Sequence, residues 1–82
     1  MKVCAHFSIA PFEQYHERMH SIQDAVAHLK EHGRFDSFSD GERPSVLIDK
    51  QCNDCWDHAR FHEFGALFEL GPRGGIRKTY GP

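Results

Sequence analysis

No stretch of the 82-residue chain is long and apolar enough to span a bilayer. The longest uninterrupted aliphatic run is Val46-Leu47-Ile48, against the roughly 20 apolar residues that a membrane helix needs. Charge of one sign is also missing. The formal net charge is −2, so no global basic field draws in nucleic acid at neutral pH. No apolar segment precedes a small-residue cleavage site after Met1-Lys2-Val3, which leads us to expect a chain without a secretory signal, located in the cytoplasm. Cysteine is scarce and odd in number: Cys4, Cys52 and Cys55 argue against a disulfide framework and for reduced thiols or metal ligands. Length excludes a second core, so residues 1–82 are expected to form a single domain. Such a domain has a thin core, which a bound metal or a homodimeric partner would reinforce.

What is present reads as an α+β fold. Residues 2–9 are rich in β formers, Pro11 breaks the run, and residues 14–20 continue as a second strand, with Tyr15, Glu17 and Met19 on one face and Gln14, His16, Arg18 and His20 on the other. Ser21 is placed to cap a helix whose stripe is Ile22, Ala25, Val26 and Leu29, and Gly33 reads as a left-handed stop. Residues 34–45 form a loop that Phe35 and Phe38 anchor to the core. Val46–Lys50 reads as the central strand, because consecutive branched aliphatics suit a covered position. A short second helix is expected from Asn53 or Asp54 to about Glu63. A hairpin of 66–70 and 76–80 around Gly71-Pro72-Arg73-Gly74-Gly75 closes the chain. The order is β-β-α-β-(α)-β-β: a small, mostly antiparallel sheet with one main amphipathic helix packed on one face.

Two motifs carry potential chemistry. His16-Glu17-Arg18-Met19-His20 matches the H-E-x-x-H of zinc proteases. That motif works only on a helix, where one face offers both imidazoles to the ion. With the helix starting at Ser21 the segment is extended, and residues four apart on a strand are about 13 Å apart. No catalytic residue is therefore assigned there. Cys52, Cys55, His58 and His62 form C-x2-C-x2-H-x3-H, a set of zinc-compatible donors. Cys4 and His6, two apart on a strand, are an alternative second half of that site. The plain alternative is reduced cysteines and surface histidines. A Cys55/His58 nucleophile pair lacks an assignable oxyanion donor or orienting group, so the chain reads as a non-enzyme.

The terminal hairpin concentrates Arg73, Arg77 and Lys78 around glycines, a pattern able to grip a carboxylate or phosphate on a partner. It lacks the Lys-Ser/Thr end of a P-loop and the helix that should follow. On an edge strand the same charges would instead discourage strand-to-strand aggregation.

The succession of a β-hairpin, SIQDAVAHLKEHG, GERPSVLID, Cys-x-x-Cys and ELGPRGGIRK resembles the short orphan proteins encoded by actinobacteriophages. The resemblance implies a small accessory protein, in the host cytoplasm, that binds a host or phage macromolecule, for example to inhibit a host protein. No cofactor is expected, zinc aside. The alternative expectation is a zinc-stabilised module contacting nucleic acid or protein through Arg73, Arg77 and Lys78.

Overall fold

The computed structural model describes residues 3–39, 41–49 and 64–80. In chain order they form β1 (Val3–Ala10), β2 (Glu13–Met19), α1 (Ile22–His32), a single 3-10 turn at Phe35–Ser37, β3 (Ser45–Asp49), β4 (Phe64–Leu70) and β5 (Ile76–Tyr80). All five strands join one antiparallel sheet in the order β2-β1-β3-β4-β5. The α+β architecture read from the sequence is the one observed, with β3 at the centre. The expected second helix and the proposed ligands Cys52, Cys55, His58 and His62 lie outside the described residues.

Alternation along the strands sorts side chains between two faces. On the first, Ala5, Phe7 and Ile9 of β1 meet Val46 and Ile48 of β3 and Ala66 and Leu70 of β4, all buried. The helix covers this face with Ala25 and Leu29, both fully buried, while Ile22 of the expected stripe stays exposed. Its start is local chemistry. The Ser21 hydroxyl accepts from the Asp24 N–H at 3.1 Å, satisfying one of the donors a helix N-terminus leaves open.

The helix ends differently from expectation. Gly33 has φ −69° and ψ 134°, an extended conformation open to any residue, so it is not a left-handed cap. It is required because a Cβ there would lie 2.6 Å from the Leu29 carbonyl oxygen and 2.9 Å from a Leu70 methyl. Close approach of the helix end to β4, rather than φ, selects glycine. Phe35 packs against the core as expected, but Phe38 does not join it.

Candidate binding groove at the hairpin turn

The connection between β1 and β2 consists of Pro11 and Phe12. Proline at the first central position of a tight turn, followed by a positive φ, is the arrangement whose second place ordinarily goes to glycine or asparagine. Here phenylalanine occupies it with φ 66°, the one non-glycine residue in the left-handed region among those described. A side chain in that region costs roughly 1–2 kcal/mol from crowding of Cβ against the following carbonyl. The ring recovers none of this by burial: Phe12 is as exposed as in an extended chain, at 105%. A strained backbone that holds a large apolar ring in water is a feature the fold does not need, which directs attention to function.

Beside the turn lies a groove of about 440 Å³, walled by Pro11, Phe12 and Phe38, with Ser8 and Gln14 along it and Glu42, Arg43 and Glu69 at its rim. The strand register explains its polar members. Gln14, Ser8, Ser45, Glu69 and Arg77 are successive neighbours across all five strands. They occupy the face opposite α1, since their neighbours Phe7, Val46 and Phe68 pack into the core under the helix. Three members of this cross-sheet polar row, Gln14, Ser8 and Glu69, line the groove.

The rim charges differ in their engagements. Glu69 accepts from Arg77 at 3.2 Å, and Glu42 accepts from the Ser39 hydroxyl at 3.1 Å. Arg43, half-buried, forms no ion pair with any described residue.

The hairpin cations expected from the sequence do not form one cluster. Arg73 is exposed in the turn between β4 and β5. Arg77 lies on the groove side of the sheet through Glu69, whereas Lys78 stands opposite Phe68 and belongs to the helix side. Adjacent residues of a strand cannot share a face, so only Arg77 reaches the polar row. Phe12 and Arg43 line the groove although no motif singles them out in the sequence, whereas Phe38 is open there to two readings, as a core anchor or as an aromatic contact. The signal that could have found Phe12 is a bulky residue directly after proline where the turn calls for glycine.

The histidines are also sorted by register. His16 lies opposite His6, with ring centroids 5.0 Å apart, while Glu17 falls on the other face beside Tyr15. The H-E-x-x-H string is therefore extended, as its position before Ser21 predicts, with its first histidine and its glutamate on opposite sides of the sheet. Among the described residues no group of three or more His, Cys, Asp or Glu side chains is placed to hold a metal ion.

Cys4 corrects the expectation of reduced thiols: it is fully buried and disulfide-bonded. The register sets it opposite Asp49, three positions before Cys52 in the chain. A disulfide sulfur is no thiolate, which removes Cys4 from the alternative ligand set. Reduced cysteines also cease to support a cytoplasmic location. No helix among the described residues is long and apolar enough to cross a membrane.

No family model matches the chain, and neither a curated protein nor a solved structure matches it. The fold alone does not carry a function, so the groove must.

Proposed function

We propose that the protein is a non-enzymatic binding module that engages a macromolecular partner, a host or phage protein, at the groove formed by the β1–β2 turn with Phe38, Glu42, Arg43 and the Glu69–Arg77 pair. The observation that supports this is Phe12, held strained and fully exposed beside a groove. Burying such a ring against a partner removes a large apolar area from water, and aromatic residues dominate the energetics of protein interfaces. Around it, the rim provides Arg43, and Arg77 is paired with the rim's Glu69; arginine is a residue type also enriched at such centres. The resemblance to small phage accessory proteins points to the same kind of work, by analogy.

The test compares tagged wild-type protein with Phe12→Gly in capture from a bacterial lysate, followed by mass spectrometry and titration of the purified partner. Glycine suits the left-handed turn and deletes the ring, so the fold is preserved while the contact is lost. A partner retained by wild type and lost with Phe12→Gly supports the reading. Equal retention by both proteins counts against this site.

A further inference from the structure

We infer that the groove takes a peptide segment of its protein partner in which a carboxylate lies next to an apolar side chain, with Arg43 reading the carboxylate. The inference rests on the binding reading above and adds the chemistry of what is bound.

Charge complementarity carries the first half. Both rim carboxylates already have partners, Glu69 in Arg77 and Glu42 in the Ser39 hydroxyl, whereas Arg43 has no ion-pair partner among the described residues. The charged side chain of the groove that has no hydrogen-bonded or ion-paired partner among the described residues is therefore the cation, a half-buried guanidinium. A guanidinium offers paired N–H donors that match a carboxylate edge. A dianionic phosphate would fit less well, because Glu42 and Glu69 flank the same cavity.

The walls carry the second half. Pro11, Phe12 and Phe38 present apolar surface directly beside this cation, so a ligand that satisfies Arg43 alone would leave them wet. Ser8 and Gln14 supply a hydroxyl and an amide, each able both to donate and to accept, as the main chain of an extended segment requires. A small free acid is the poorer occupant. Phe12 projects fully into solvent, so its outer surface can be covered only by something that continues beyond the cavity.

The experiment is selection of short random displayed peptides on immobilised wild-type protein, with enriched sequences synthesised and titrated against wild type, Arg43→Gln and Phe12→Gly. Circular dichroism and thermal melting confirm that all three proteins are folded. The expected enrichment is Asp or Glu adjacent to an apolar residue. Arg43→Gln is expected to bind these peptides about tenfold more weakly, the factor that corresponds to loss of one charge-assisted contact. Changing the peptide carboxylate to its amide should weaken binding to wild type by a similar factor and leave binding to Arg43→Gln nearly unchanged.

Enriched apolar peptides without a carboxylate, still lost with Phe12→Gly, would overturn the inference and leave the binding site standing. Peptides that bind Phe12→Gly as well as wild type would overturn both. Failure of the folded wild-type protein to enrich any sequence would overturn the peptide inference, while the lysate comparison would still decide the site.

Discussion

Tyr15 on β2 and His28 on α1 are joined by a hydrogen bond of 2.7 Å between the phenol oxygen and Nε2, tying the edge strand to the helix that covers the sheet. Phe7 lies under both rings, with centroids 5.2 Å from Tyr15 and 4.6 Å from His28. Burial of the phenol, followed by the negative charges of Glu17 and Glu13, pushes the pKa of Tyr15 above its ordinary value of 10.0. The hydroxyl thus stays protonated at neutral pH, able to donate to Nε2 or to accept from it according to the His28 tautomer.

Tyr15→Phe keeps the stacked ring and deletes this bond, so we expect a loss of about 1 kcal/mol at neutral pH. The alkaline behaviour gives a second, independent readout. A group whose folded pKa is raised contributes fully below its unfolded pKa. As pH rises through 10 the unfolded chain releases its proton first, and the contribution is lost toward the folded value. Urea titrations at neutral pH and above pH 10 should therefore show the gap between wild type and Tyr15→Phe narrowing as pH rises. A constant gap would contradict the proposed origin.

Gly33→Ala separates two explanations for the glycine at the end of α1. If glycine served a left-handed cap the strain would be torsional, but φ is −69° and alanine has no torsional objection to it. The objection is steric: the added carbon would meet the Leu29 carbonyl at 2.6 Å, Leu70 at 2.9 Å and Pro44 at 3.2 Å. Overpacking of this kind costs about 2 kcal/mol. Denaturant unfolding should show that loss. Leu70→Ala truncates the core and lowers stability by itself, but if the helix-to-β4 approach contributes, the double substitution should cost less than the sum of the two single losses.

The helix was legible in the sequence because everything that determines it is local: the Ser21 cap and the spacing from Ala25 to Leu29 lie within one segment. The strands were legible for the same reason, through alternation in residues 14–20 and the aliphatic run at Val46. The groove was not, because it assembles from Ser8, the β1–β2 turn, Gln14, Phe38, residues 41–43 and Glu69, which only the sheet order brings together. Phe38 illustrates the difficulty: an apolar residue in a loop reads as an anchor, and nothing local distinguishes a core-facing ring such as Phe35 from one lining a groove. Arg77 and Lys78 stand on opposite faces of β5, a separation that strand periodicity makes legible in the sequence. The disulfide of Cys4 depends on long-range pairing that counting cysteines does not reveal.

Arg77→Ala should disturb stability little. The guanidinium is 77% exposed, and an ion pair at such a surface site contributes about 0.5 kcal/mol or less. Its loss would nevertheless leave Glu69 without its cation at the rim of the groove and alter the charge that a partner meets. We expect a near-unchanged melting temperature together with weaker binding of an acidic partner, the weakening being greater at low salt than at high salt. A large drop in melting temperature would instead make Arg77 a structural residue of the β4–β5 hairpin.

Phe12 offers the sharpest separation of stability from function. Its φ of 66° penalises every side chain with a Cβ and suits glycine, while its full exposure means that removing the ring forfeits almost no burial. Phe12→Gly should accordingly stabilise the protein by about 1 kcal/mol, the left-handed penalty relieved less the greater freedom glycine gives the unfolded chain. Phe12→Asn should gain a smaller amount, because asparagine tolerates this region better than phenylalanine but still carries a Cβ. Phe12→Ala should gain nothing appreciable, since it deletes the ring and keeps the strain. Chemical denaturation can resolve this order of Gly above Asn above Ala. All three variants lack the ring, so all three should bind the partner poorly whatever their stability. Binding that followed the stability ranking would mean the turn conformation, rather than the aromatic ring, is what the partner recognises.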